Sequence, residues 1–490
     1  MRDIVKELAD CPIFGAHFAE GAEETVKNGV PMYTVELFYA NTYNGSNDIE
    51  KMRRLTSKGY RVILRIDYRH GQTVPAEGDE EALAGFAERC RTIARDLRGI
   101  VDLFVIGNEM DSPHEGAIPA RWYARVIGGA KAAGGVYEAM KEANPEAVIL
   151  AGALSAWPGF PEEAGSRIRW FRTFLDHAGR VDGFALHAYS GWSYWDGSGG
   201  IEDPRFSDMT GLLSFREFMK EIYCEYGDSV PVFITETNTY WTLNPKAPSG
   251  FSDENYRKGW LVEAYEAIDQ WNRSNDLKIH SFCWFTYGTM GIGSPESDIF
   301  RNAMERTDNA RLNEAREDFG WVTRHLRPVP GLPGEPLRFE AVNYTNSDLW
   351  GDSDGIEGID YYAAGHDAGN SLYRKGKLEI AETGEGGKPA LRLKGRGAWA
   401  RYFSLAGGRS YRLRVRCRAA SAEGAVSVVR LRINGTYACE PLRVESAEED
   451  RFLEVQSADS FYLPKQAQDI RFVLVSGDLW LERFELVPVD

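Results

Sequence analysis

In Pro231-Val232-Phe233-Ile234-Thr235-Glu236-Thr237-Asn238 a largely apolar run, Pro231 to Thr235, is followed at once by a carboxylate. A strand with one wet face alternates apolar and polar residues, so a continuous run of this length belongs to a strand covered on both sides, as in a parallel sheet. Seven further runs of the same kind lie between Cys11 and Gly288: Pro12 to Phe18, Tyr33 to Phe38, Arg61 to Asp67, Leu103 to Ile106, Ala147 to Ala151, Val181 to Leu186 and Ser281 to Phe285. Helix-like stretches separate them, among them Glu80 to Leu97, Pro119 to Glu142, Ile168 to His177, Ser214 to Tyr226 and Asn255 to Asn272, each with apolar residues three and four apart. Eight strand–helix units predict an α/β fold, a closed (β/α)8 TIM barrel. An open doubly wound sheet is disfavoured because no Gly-rich phosphate loop follows the first strand.

Beyond His325 the composition changes. Arg327-Pro328-Val329-Pro330-Gly331-Leu332-Pro333-Gly334 has little capacity for helix and reads as a linker. The runs Ala390 to Leu393, Trp399 to Phe403, Ser410 to Arg416, Val426 to Ile433, Ile470 to Val475 and Leu479 to Leu486 are short, turn-bounded and alternate with period two. The predicted organisation is therefore a barrel over residues 1–326, a linker over 327–336 and an all-β sandwich of jelly-roll type over 337–490.

The 490 residues are 43% hydrophobic and 27% charged, enough apolar material for a full core in each domain. With 57 basic and 73 acidic residues the formal charge is 57 − 73 = −16, which repels a phosphate backbone or an anionic membrane surface, so neither nucleic acid nor membrane is an expected partner. The six cysteines form no C-x-x-C pair; Cys417 and Cys439 lie in the β region and pair only if the compartment is oxidising. The eight histidines show no metal-ligand spacing, so a catalytic metal is not expected. The start of the chain has no signal-peptide pattern; the expected location is extracellular or cell-surface if such a peptide was removed, and cytoplasmic otherwise.

In a β/α barrel the chemistry sits where strands end and loops begin. Glu109 follows the fourth run in Val105-Ile106-Gly107-Asn108-Glu109-Met110-Asp111, and Glu236 follows the seventh. A lone Glu after a strand is ordinarily a solvated ion-pair residue. Two at these positions project into one mouth from facing sides, where a pair about 5 to 5.5 Å apart lets one protonate a glycosidic oxygen while the other attacks the anomeric carbon. Trp157, Trp192, Tyr194, Trp195, Tyr240 and Trp241 follow strands five to seven and offer flat faces on which pyranose rings stack. Asp111 and His114 are candidate rim contacts, and Arg65, at the end of the third run, is placed to lower the pKa of Glu236 or to balance Asp67.

Over roughly residues 11 to 320 these motifs resemble glycoside hydrolase clan A. Asn108-Glu109 after strand four and Glu236 after strand seven look like that clan's acid/base and nucleophile, His187-Ala188-Tyr189 after strand six is similar to the His-x-Tyr of family 5 and its relatives, and Trp284 resembles the clan's aromatic floor residue. The resemblance implies substrate contacts for Asn108, His187, Tyr189, Trp284 and Arg65, joined by Trp192, Trp195 and Trp241. Family 5 usually places Pro after Asn-Glu, where this chain has Met110.

Residues 337 to 488 resemble carbohydrate-binding modules of families 6 and 35, through Phe339-Glu340-Ala341-Val342-Asn343-Tyr344, His366-Asp367-Ala368-Gly369-Asn370-Ser371-Leu372-Tyr373-Arg374 and Gly477-Asp478-Leu479-Trp480-Leu481-Glu482 onward. That resemblance implies a structural calcium with Glu340 and Glu482 as oxygen ligands, although Val342 stands where the family has a second acid. Tyr362, Tyr373 and Trp399 are candidate stacking residues. The expected activity is a retaining glycosidase cleaving β-glycosidic bonds within a polysaccharide and needing no cofactor. The alternatives are an exo-acting β-glycosidase on oligosaccharides and an inactive glycan-binding barrel.

Overall fold

A computed structural model describes residues 3–22, 31–128, 134–155, 161–189, 212–239, 256, 258–291, 293–294, 297–326, 328–331, 336–341, 374–381, 384, 390–420, 426–445 and 451–489, with the side chains of 161–166, 214, 298 and 374–381 left aside. The chain divides into two compact units. One comprises Met1–Trp195, Asp228–Asp269 and Lys278–Gly331; the other comprises Asp196–Gly227, Gln270–Leu277 and Leu332–Asp490.

Eight parallel strands close a barrel in sequence order. They are β1 (Phe14–His17), β2 (Met32–Tyr39), β3 (Tyr60–Asp67), β4 (Leu103–Ile106), β5 (Val148–Ala151), β6 (Gly183–His187), β7 (Val232–Thr237) and β8 (Ile279–Trp284). The connecting helices are α1 (Ile4–Leu8), α2 (Gly45–Ser57), α3 (Glu80–Asp96), α4 (Ala120–Ile127), α5 (Val136–Ala143), α6 (Pro161–His177), α7 (Phe215–Tyr226), α8 (Trp260–Ser274), α9 (Asp298–Asn302) and α10 (Ala310–His325). Strands β1, β4, β5, β6, β7 and β8 are buried at every position, the signature of coverage on both faces. One expectation fails: the helix read over Pro119 to Glu142 is two helices, α4 and α5. Gly128 ends α4 at φ 85°, and a Cβ placed there would meet Gly135 Cα at 2.7 Å, so close backbone approach stops the helix that the apolar spacing alone would continue.

Alternate residues fill the barrel interior, among them Tyr33, Val35, Ile63, Leu103, Val105, Val148, Leu150, Ala185, Phe233 and Cys283. Period two then sets what comes next along each strand. Beyond Ile63 stand Arg65 and Asp67; beyond Ala185 stand His187 and Tyr189; beyond Cys283 stands Phe285. Strand β7 breaks the rule. Ile234 pairs with Leu186 on β6 and Phe282 on β8, but the next pairs are His187 with Glu236 and Trp284 with Thr237, so β7 carries one extra residue. Such a bulge re-aims the side chain that follows it.

The second unit carries an antiparallel sheet built from β9 (Leu337–Glu340), β10 (Arg374–Ala381), β11 (Ala390–Ser404), β12 (Arg409–Ala419), β13 (Val426–Ile433), β14 (Thr436–Tyr437), β15 (Leu442–Glu445), β16 (Leu453–Gln456), β17 (Phe461–Leu463), β18 (Gln468–Ser476) and β19 (Asp478–Val489). The runs Ala390 to Leu393 and Trp399 to Phe403, expected as two strands, are the single strand β11. Its first half pairs with β19 and its second with β18, and Gly395 and Gly397, at φ 87° and 83°, sit between the halves. The sheet curls around Tyr402, Tyr411, Leu413, Val415, Phe472 and Phe484, with Arg412, Arg414 and Arg416 on the opposite face of β12. Cys417 and Cys439 are buried free thiols, not a disulfide.

Candidate active site

The turn after β4 places Glu109. Gly107 adopts φ 77° and Glu109 itself φ 41°, a left-handed conformation that costs a non-glycine residue about 1–2 kcal/mol. Two hydrogen bonds hold it: the Glu109 N–H donates to the Ala153 carbonyl at 2.7 Å and the Ser112 N–H donates to the Glu109 carbonyl at 2.7 Å. Met110, where the resemblance expects Pro, is buried beneath this turn.

Glu236 follows the β7 bulge and is 5% exposed. The Tyr189 hydroxyl donates to its Oε2 at 2.7 Å, Arg65 Nη1 lies 3.4 Å from its Oε1, and His17 Nε2 lies 3.5 Å from the same oxygen. Burial alone would raise this carboxyl's pKa. The charge on His187, on His17 when protonated and on Arg65, together with the Tyr189 hydrogen bond, reverses that and holds it below the usual carboxylate range. His187 bridges the two acids, with Nδ1 at 2.9 Å from Glu109 Oε1 and 3.5 Å from Glu236 Oε2. Burial opposes its protonation, but the two carboxylates outweigh burial and raise its pKa. One ligand atom from each of Glu109, His187 and Glu236 lies within 4.8 Å of the others. The two acids therefore face each other across one mouth.

Arg65 is anchored from behind by a bidentate contact to Asp67, Nε to Oδ1 at 3.1 Å and Nη2 to Oδ2 at 2.6 Å, so it both balances Asp67 and faces Glu236. Asn108 is buried; its N–H donates to Thr73 Oγ1 and its Nδ2 donates to Glu115 Oε1 at 3.4 Å. Burial pushes the Glu115 carboxyl up to about 7, against the pull of Arg65. Asp111 accepts from the Ser155 N–H at 2.7 Å, and burial pushes it up to about 6. His114 is exposed on the short turn Pro113–Glu115.

Trp284 requires a correction. It is 1% exposed and packs against Tyr256 and Trp260 of α8, ring centroids 5.9 and 6.4 Å away, on the helix side of the barrel wall. Interior Cys283 fixes the phase, and the aromatic reaching the mouth from β8 is Phe285, partly exposed, 5.1 Å from the His17 ring. Trp157, Trp192, Tyr194, Trp195, Tyr240, Trp241, Tyr362 and Tyr373 lie outside the described residues. His17, Asp67, Glu115 and Phe285 join the site without having been singled out as contacts. Asp67 and Phe285 close apolar runs and His17 stands one residue before the end of its run, so these were legible by that rule; Glu115, in a loop after β4, carries no such signal.

The Glu109, His187, Glu236 set offers one nitrogen and two carboxylates, a donor chemistry that can hold a metal. An ion there would have to displace the His187–Glu109 hydrogen bond and sit beside the Arg65 guanidinium, so the set fits a hydrogen-bonded acid pair better. In the second unit, Glu340 Oε1 is taken by Arg338 Nε at 2.7 Å, and buried Glu482 lies 2.6 Å from Arg483 Nη1 and 3.2 Å from Arg416 Nε. Both acids expected as calcium ligands are thus ion-paired to guanidinium groups among the described residues. Trp399 is 8% exposed beneath the Arg471 guanidinium, 4.7 Å from the ring centroid, and packs rather than presenting a face.

No family model matches the chain, and no curated protein does. Among solved structures, a family 39 glycoside hydrolase from the gut symbiont Bacteroides cellulosilyticus WH2 aligns over 96% of this chain and 82% of its own, at 13% identity and TM-score 0.44. A family 6 carbohydrate-binding module from Clostridium cellulolyticum in complex with xylose covers 31% of this chain and 96% of its own, at 14% identity and TM-score 0.22. The module CsCBM6-3 from Clostridium stercorarium in complex with cellobiose covers 31% and 93%, at 17% identity and TM-score 0.21. Likenesses this distant assign no activity to the chain.

Proposed function

We propose that the chain is a retaining glycoside hydrolase that cleaves β-glycosidic bonds within a polysaccharide, with Glu236 as nucleophile and Glu109 as acid/base. The observation that carries this reading is the approach of the two acids, whose nearest ligand oxygens lie within 4.8 Å with His187 between them. That approach is nearer the roughly 5 to 5.5 Å separation of acid pairs that attack directly than the roughly 6.5 to 9.5 Å of pairs that activate a water.

In the first step a Glu236 oxygen forms a bond to the anomeric carbon while the bond to the glycosidic oxygen breaks. Glu109 gives its proton to that oxygen, and the leaving chain departs as an alcohol. In the second step Glu109, now a carboxylate, takes a proton from water as the water oxygen attacks the same carbon and frees Glu236. The depressed pKa of Glu236 keeps the nucleophile ionised. Asn108 is suited to the sugar hydroxyl beside the anomeric carbon, and Phe285 to the ring face.

Action within a chain rests on the loop aromatics after strands five to seven in the sequence. A panel of β-linked polysaccharides tests the reading: Glu236→Ala should abolish release of reducing ends, and Glu109→Ala should retain turnover of aryl glycosides with good leaving groups and gain further with azide. Full activity in Glu236→Ala removes the mechanism. Release of monosaccharide alone makes the enzyme exo-acting.

A further inference from the structure

The extra residue in β7 raises the question of what holds the bulge. Thr235 has no register partner on β6 or β8, yet it is only 3% exposed. A buried carbonyl at such a point needs a donor, because leaving it unmade costs more than the bond itself contributes. His17, at the end of β1, supplies one: its Nε2 lies 3.0 Å from the Thr235 carbonyl. A carbonyl only accepts, so Nε2 carries the hydrogen. The imidazole is 2% exposed and is held edge-on by Phe18 and Phe285, with ring centroids 5.5 and 5.1 Å away. It therefore has little freedom to swing from this bond. The next residue in the chain is Glu236.

We propose that His17 is a positioning residue: its Nε2–H clamps the Thr235 carbonyl, fixes the β7 bulge, and so aims Glu236 into the mouth. The same Nε2 lies 3.5 Å from Glu236 Oε1, so the imidazole sits between the bulge carbonyl and the carboxyl it directs, and the expected effect is on placement of the nucleophile rather than on binding of the sugar. Burial lowers the His17 pKa to about 4, which keeps the ring neutral and its second nitrogen bare at ordinary pH. The proposal rests on the reading of Glu236 as a nucleophile.

The test is covalent trapping with a dinitrophenyl fluoroglucoside or fluoroxyloside, fluorinated beside the anomeric carbon, which reports attack by Glu236 separately from binding. In His17→Leu the saturating rate of trapping should fall about 100-fold with the inhibitor's apparent dissociation constant unchanged, the effect of an ångström-scale misplacement. His17→Gln places an amide near the original Nε2 and should recover most of the rate; His17→Asn is too short to reach and should not. If His17→Leu does not fold, the Gln and Asn pair carries the comparison. Wild-type rates in Leu and Asn overturn the clamp, and so does a loss confined to the dissociation constant, which would make His17 a sugar contact. If wild-type protein is not trapped at Glu236 at all, the glycosidase reading fails, and a crystal structure of His17→Asn decides the clamp alone: Glu236 displaced from Tyr189 supports it, and Glu236 in place overturns it.

Discussion

Tyr189, just past the end of β6, donates its hydroxyl hydrogen to Oε2 of Glu236 on β7 across 2.7 Å. The bond favours the ionised carboxyl and is one of the causes that hold its pKa low. Tyr189→Phe removes the donor and little else. The acid limb of kcat/KM should move to higher pH, because Glu236 gains a proton more readily, and kcat/KM at the optimum should fall about 10-fold or more. An unmoved acid limb would mean that the bond does not tune the nucleophile.

Arg65 neutralises two buried acids at once, Asp67 and Glu236. Arg65→Leu leaves both without their cation inside the barrel and should cost about 3–5 kcal/mol in urea unfolding. Arg65→Lys keeps the charge but loses the fork that grips Asp67, so an intermediate loss is expected. Equal stability of all three proteins would show that the ion pairs do not bear on the fold.

His17 and His280 are both fully enclosed, and burial lowers each pKa from 6.5 to about 4. Between those values the folded chain binds fewer protons than the unfolded one, so stability should fall as pH drops from about 6.5 toward about 4, with a slope approaching 1.4 kcal/mol per pH unit for each group. His187 has the opposite sign: its raised pKa contributes stability below about 6.5 that is lost as pH rises above it. His280 lies in the barrel wall, away from the acid pair, and so isolates the effect. Urea midpoints of wild type and His280→Gln should converge as pH is lowered; parallel curves would count against a neutral buried His280.

Trp284 and Phe285 are neighbours in sequence with opposite duties. Trp284→Ala empties a fully buried site and should cost about 3–5 kcal/mol of stability. Phe285→Ala should raise KM by up to about 10-fold, since a stacked ring is worth roughly 1 kcal/mol. The reverse pattern would restore Trp284 to the sugar platform.

The barrel was legible because parallel strands covered on both faces leave continuous apolar runs, and the strands seen in the structure overlap those runs throughout. What the runs hide is phase. Alternation is invisible where both faces are apolar, so Trp284 and Phe285 could not be told apart until Cys283 fixed the interior face. The bulge before Glu236 is a property of pairing with β6 and β8 and has no mark in the β7 sequence. Close approach at Gly128 divides α4 from α5, while in β11 the left-handed Gly395 and Gly397 lie within one continuous strand, both effects of backbone geometry rather than of apolar spacing. Glu115 reaches the site by a loop, where position along the chain says nothing of position in space.

The anomeric configuration of the sugar first released decides the central claim most directly. Proton NMR during early hydrolysis of a β-linked polysaccharide should show the β-anomer appearing first, with the α-anomer growing in only by mutarotation. First appearance of the α-anomer would mean a single displacement by water, and the pairing of Glu109 with Glu236 as acid/base and nucleophile would be wrong.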